Sequence, residues 1–207
     1  MRIPMLELLR HRLTSYRPRQ LETMKSRAGV LIALTDEPDP QVILTRRASH
    51  LSTHRGEVAF PGGKQDATDP DLLYTALREA EEEVGLDPAL VDVVGPLGQV
   101  MSKHLIQVTP FVGVVPPDVV LSPNPHELES LFRVPLSFFL EDRRQRTDVV
   151  EFRGKTHYVP AYRFGDYIIW GLTAYMLVEL LNVGFDARIP MKPRPEHQET
   201  PASGTLR

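Results

Sequence analysis

Apolar residues recur along the chain in more than one rhythm, and each rhythm predicts a different element. Short runs of β-branched and aliphatic residues at 28–34 and 41–45 flank the turn-rich Asp36-Glu37-Pro38-Asp39-Pro40, which predicts a β-hairpin. Further strands are predicted over 56–60, running into Pro61-Gly62-Gly63, and over 91–94, 107–115, 147–152 and 157–164. Between them Leu73, Leu77, Ala80 and Val84 recur at helical spacing, which predicts an amphipathic helix over 71–84 stopped by Gly85. An apolar helix is predicted over 170–183, with Trp170 in the core, and a short amphipathic helix within 1–20. Strands outnumber helices and a helix separates them, so the expected class is α+β, an αβα sandwich in which helices flank a mixed β-sheet. The expected division is a helical extension over 1–26, one domain over 27–185 and a proline-rich polar tail over 186–207 without fixed structure.

Composition narrows the chemistry. With 207 residues, 42% of them hydrophobic, the chain can build one compact core. It has no cysteine, so a metal site must use oxygen or imidazole ligands. A net charge of -3 gives no general attraction for nucleic acid or acidic membranes, and an anionic small molecule would need a local basic cluster. The most apolar stretch, 168–183, is interrupted by Gly171, Thr173, Glu179 and Asn182, which argues against a membrane span. The expected setting is cytoplasmic, with a small-molecule substrate as partner and a homodimer allowed.

The helix over 71–84 carries the strongest chemical signal. Successive helical residues turn by about 100°, so Glu79, Glu82 and Glu83 are expected in one patch away from the apolar stripe, and Glu81 adds a fourth charge. Like charges so spaced repel unless a counterion joins them. Clustered hard oxygens suit Mg²⁺ or Mn²⁺, while the plainer alternative is a solvated acidic face.

The surrounding residues shift the balance. Gly62-Gly63-Lys64 followed by Arg78-Glu79-Ala80-Glu81-Glu82-Glu83-Val84-Gly85-Leu86 resembles the Nudix box, every fixed position of its second half being matched. Counted from Gly63 the early glutamate of the box falls on Asp69, but counted back from Arg78 it falls on Pro70, so the loop is one residue longer; neither Asp69 nor Asp71 is assigned as a ligand. The resemblance implies a Nudix fold and metal-dependent hydrolysis of a phosphoanhydride. It also implies Glu79, Glu82 and Glu83 as Mg²⁺ or Mn²⁺ ligands with the Gly63 carbonyl, Glu79 instead or also as proton acceptor, and Arg78 as an internal brace.

A narrower similarity concerns the substrate. Ile43-Leu44-Thr45-Arg46-Arg47 and Gly56-Glu57-Val58-Ala59-Phe60-Pro61-Gly62-Gly63 look like the signature of the coenzyme A diphosphatase branch, with departures at Ala48 and Ser52. That branch cleaves coenzyme A to 3′,5′-ADP and 4′-phosphopantetheine. Arg46, Arg47, Arg55 and Lys64 are the implied substrate-binding cations, with His54, Lys103 and His104 as further donors and Glu127 as an additional acidic candidate. Other nucleoside diphosphate derivatives such as ADP-ribose or a dinucleotide, and a non-catalytic nucleotide-binding module, are the alternatives.

Overall fold

The structure, a computed structural model, describes residues 4–50 and 56–192. In chain order the elements are α1 (Met5–Ser15), β1 (Arg27–Thr35), β2 (Gln41–Arg47), β3 (Val58–Ala59), β4 (Gly62–Lys64), α2 (Leu72–Val84), a 3-10 turn (Pro88–Leu90), β5 (Asp92–Pro96) and β6 (Val100–Met101). They continue with β7 (Gln107–Val115), β8 (Leu128–Pro135), α3 (Leu136–Leu140), β9 (Arg144–Phe152), β10 (Lys155–Phe164), β11 (Tyr167–Ile169) and α4 (Gly171–Phe185).

β1 lies at the middle of a mixed sheet, parallel to β7 from Arg27↔Gln107 to Thr35↔Val115 and antiparallel to β2 and β4. Strand alternation sends its side chains to two cores. Leu31 and Ala33, with Ile43 of β2, pack against Ala76, Ala80 and Val84 of α2. Ile32 and Leu34, with Val42 and Leu44, face the other way onto Leu9 and Leu13 of α1 and Leu177, Leu180 and Leu181 of α4. These opposed faces make the three layers expected from the apolar rhythm. A second sheet, ordered β11-β10-β9, stands beside them.

The expected hairpin holds only at its turn. β1 and β2 register at Leu34↔Val42 and then part, because the segment from Val58 to Lys64 changes partner. Its first half pairs with β2 (Thr45↔Ala59, Arg46↔Val58) and its second half with β1 (Ala28↔Lys64, Gly29↔Gly63, Val30↔Gly62). The single strand expected over 56–60 is therefore a split one that reaches Lys64. β8, unmarked by any period-two pattern, covers the other edge of β2 from Gln41↔Pro135 to Arg47↔Leu128.

Two further expectations are corrected. Trp170 is 42% exposed, since it precedes the first turn of α4 and the buried positions there are Ile169, Thr173 and Ala174. Residues 187–192 are held rather than free. Asn182 exchanges two hydrogen bonds with Ile189, and Arg144 donates to the carbonyls of Pro190 and Lys192. Residues 193–207 lie outside the described residues.

Candidate active site

α2 starts and stops on local chemistry. The Asp71 side chain accepts from the Tyr74 amide at 2.8 Å as N-cap, and Gly85 closes the helix in the left-handed region at φ 67°. Gly29 of β1 lets this helix lie close to the sheet, because a β-carbon there would run into the carbonyl of Leu72. Gly63 faces the same side of the sheet, and a β-carbon at that position would overlap the Glu79 carboxylate. The helix thus brings Glu79 and Glu83, one turn apart, over the Gly62-Gly63 backbone.

The three box glutamates do not share one patch. Glu83 is only 3% exposed, and its Oε2 accepts the Gly62 amide at 3.1 Å. Glu82 points outward, 54% exposed, onto the Arg78 guanidinium at 3.0 Å. Glu79 lies between them, half-buried, accepting from Arg78 at 3.1 Å. Among the described residues no three acidic or imidazole side chains close into a ready metal cage. Arg78 holds two of the carboxylates and the Gly62 amide holds the third.

Burial and mutual repulsion set the electrostatics. Desolvation is the main cause that raises Glu83 to about 7, against the pull of the Gly62 amide and with Glu79 and Glu127 adding to it. Desolvation likewise raises Glu79, partly offset by Arg78. Asp69 goes the other way, to about 2, chiefly because Arg78 hydrogen-bonds its carboxylate. The donor set therefore fits a divalent cation, with two desolvated carboxylates that repel one another above a glycine whose missing side chain leaves room. In the metal-free protein an ionised Glu83 costs the folded state. Between about 4.5 and about 7 the folded protein holds a proton that the unfolded chain has released, so stability falls as pH rises through that window. The unfolding temperature of the wild type, measured in chelator relative to Glu83→Gln, is expected to drop across it, and a constant difference would refute the burial account.

The basic candidates separate by strand alternation. Arg47 comes to the acidic helix, its guanidinium 3.9 Å from Glu83 Oε1 and its Nε buried without a hydrogen-bond partner among the described residues. Arg46, its neighbour on β2, takes the opposite face, where it lies 5.1 Å over the Tyr167 ring and bonds Glu129 at 2.6 Å. Lys64 is exposed opposite Ala28, also on the face away from α2. Lys103 and His104 occupy an exposed turn between β6 and β7, while Arg55 and His54 fall outside the described residues. Glu127 stands close enough to raise both Glu79 and Glu83, and its loop is tied down by the Asn124 amide on the Glu83 carbonyl and the Ala48 amide on the Glu127 carbonyl. The residue that sequence reasoning left unassigned is Asp69, which anchors Arg78; the count of residues from Gly63 was the signal for it.

A mixed sheet between helices, with an acidic helix laid over a glycine pair, defines a Nudix-type domain. The NUDIX domain family model matches residues 25–165, and the chain belongs to the Nudix hydrolase family. It is 48% identical over 169 residues to Nudix hydrolase 15, mitochondrial, of Arabidopsis thaliana, an alignment covering 77% of this chain and 59% of that one. It is 43% identical over 165 residues to the uncharacterised Nudix hydrolase NudL of Salmonella newport, covering 79% of this chain and 86% of the relative. The chain thus spans less than two thirds of the plant relative. Among solved structures, a MutT/nudix family protein from Enterococcus faecalis superposes with a TM-score of 0.52 at 13% identity, over 86% of this chain and 68% of that one, which supports the fold. Nudix hydrolases generally need divalent cations such as Mg²⁺ or Mn²⁺. No helix among the described residues is long and apolar enough to cross a membrane.

Proposed function

We propose that this chain hydrolyses the phosphoanhydride bond of coenzyme A to 3′,5′-ADP and 4′-phosphopantetheine. The observation that carries the reaction class is the pair Glu79 and Glu83 over Gly62-Gly63, with the Arg47 guanidinium beside them. Glu79, Glu83 and the Gly63 carbonyl would hold Mg²⁺ or Mn²⁺, with Glu82 joining once its side chain leaves Arg78. When bound, such a cation neutralises charge on the phosphate oxygens and acidifies water. The residues do the rest. Glu79, made more basic by burial, accepts the proton of the attacking water as the P–O bond of the anhydride breaks. Arg47, whose guanidinium stands beside Glu83, takes a phosphate oxygen.

The choice of coenzyme A rests on the similarity of 43–47 and 56–63 to the coenzyme A diphosphatase signature, and the directions of Arg46 and Lys64 leave Arg47 as the one of the implied substrate-binding cations, among the described residues, that meets the acidic helix. The test is incubation with coenzyme A, ADP-ribose, NADH and diadenosine polyphosphates plus Mg²⁺ or Mn²⁺, with products separated. Coenzyme A is expected to be the best substrate. A clear preference for ADP-ribose would replace the substrate and leave the reaction class standing, whereas metal-dependent turnover of none would overturn both. Dephospho-coenzyme A is expected to be poorer by roughly tenfold or more, the effect of losing one charge-assisted hydrogen bond; equal efficiencies would remove the 3′-phosphate contact. A homodimer and a cytoplasmic setting belong to the same proposal, and mass in solution and fractionation decide them.

A further inference from the structure

We infer that β9 is the contact by which two copies of this chain join, edge to edge and antiparallel, about a two-fold axis at Thr147. β9 ends the sheet β11-β10-β9, and among the described residues no strand lies against its outer side. Arg153 and Gly154, at φ 52° and 71°, form the two-residue loop between the paired Phe152 and Lys155. From that closing pair the ladder alternates. Phe152, Val150, Asp148 and Arg146 turn their backbone N–H and C=O toward β10, while Glu151, Val149 and Thr147 turn theirs outward. Pro160, which has no N–H, accordingly stands opposite Thr147, where β9 asks for no donor. Open edges are commonly blunted by lysine, proline or shortness. This one runs for 9 residues without lysine or proline, and Val149 on it is 59% exposed. The register shift between Ala161 and Tyr162 falls at its first residues and leaves Thr147 to Glu151 regular.

Charge selects the occupant and the register. Arg146 Nε donates to both oxygens of Asp148, at 3.0 and 3.1 Å, on one face of the strand, and Glu151 follows. The basic residues of β9 thus lie in its first half and the acidic ones in its second, so a second copy laid antiparallel meets the first with opposite charges. With the axis at Thr147, each Arg146 stands opposite the Asp148 of the other copy, and four charges of alternating sign close into a ring. An axis at Arg146 or Asp148 would oppose like charges, and one at Val149 would set Asp148 against Val150.

The interface rests on the homodimer reading above, and the experiment keeps the two apart. By sedimentation the full chain is expected to show twice its monomer mass. Asp148→Arg, with its fold checked by circular dichroism, is expected to weaken dimerisation about tenfold or more, and combining it with Arg146→Asp to restore it. The chain has no cysteine, so Thr147→Cys gives one thiol per copy. On the axis the two α-carbons would lie about 5.5 Å apart, within disulfide reach. Oxidation with diamide should therefore link the dimer of Thr147→Cys and not that of Val149→Cys. A dimer that Asp148→Arg leaves intact, or that is linked in Val149→Cys but not in Thr147→Cys, would overturn this interface and keep the dimer. A monomeric full chain would overturn both, and one that dimerises only after removal of residues 193–207 would assign the β9 edge to that segment instead.

Discussion

Replacing Glu83 with glutamine is expected to lower turnover with Mg²⁺ by roughly two orders of magnitude or more, while leaving the metal-free protein no less stable. Glu83 is nearly the same size as its replacement, and a glutamine oxygen can still accept the Gly62 amide that now binds Oε2. What disappears is a buried charge that Glu79 and Glu127 repel. A neutral amide is a poor partner for Mg²⁺, and loss of one electrostatic stabiliser at a reacting phosphate typically costs about 10² to 10³ in rate. The stability arm has the opposite sign, because above about 7 the ionised Glu83 is a cost to the fold that the variant does not carry. Glu81→Gln is the control: Glu81 is exposed on the same two turns and occupies the unrestricted position of the box. Thermal unfolding with and without Mg²⁺, alongside turnover of coenzyme A, checks both arms. Near wild-type turnover in Glu83→Gln would remove this helix as the catalytic metal site, and equal losses in the two variants would indicate a general charge effect.

Arg144→Ala is expected to cost about 3 kcal/mol or more of folding stability, which for a domain of this size lowers the unfolding temperature by roughly 10 °C. The Arg144 side chain is completely buried, and five N–H donors are all engaged. Nε and Nη2 form a fork on Asp142 at 2.8 Å each, Nη1 meets Thr147 Oγ1 and the Lys192 carbonyl, and Nη2 also meets the Pro190 carbonyl. Truncation strips a buried carboxylate of its cation and frees two carbonyls of the C-terminal segment, and the loss of one partner of a buried pair is the expensive case. Arg144→Lys should recover only part of the loss, since an ammonium cannot reproduce the planar fork. None of these partners belongs to α2 or to β4. Activity per folded molecule should therefore be retained, and a drop in turnover without a drop in unfolding temperature would contradict this account.

The legible parts of the fold are those with a local cause. Expected bounds of 71–84 for the acidic helix differ by one residue from Leu72–Val84, because a side-chain N-cap and a left-handed glycine act within a few residues of the ends. Strand β7 has the expected bounds of 107–115, being a short apolar run shielded on both faces. β8 left no trace, as Leu131 and Phe132 stand side by side and Pro135 ends it, so its strand character comes from pairing with β2. The switch of partner between Ala59 and Gly62 was equally hidden. Glycine has no side chain to show a face, and only the gap where β1 and β2 part gives β4 its place.

For the site, the sequence alone determined which residues are available: a helix bearing Glu79, Glu82 and Glu83, a glycine pair ahead of it and a chain without cysteine. Spacing and composition are properties of the chain and need no packing to be read. The tertiary structure decided how those residues are divided. It buried Glu83 against Gly62, turned Glu82 outward to Arg78, made Asp69 the anchor of that arginine and placed Arg46 and Arg47 on opposite faces of one strand. The last division follows from strand alternation once residue 47 is known to lie within β2. The pairing of Glu82 with Arg78 is a contact four residues apart within the helix, whereas the places of Glu83 and Asp69 depend on contacts 21 and 9 residues apart, where burial and charge pairing, rather than local spacing, set the position of each carboxylate.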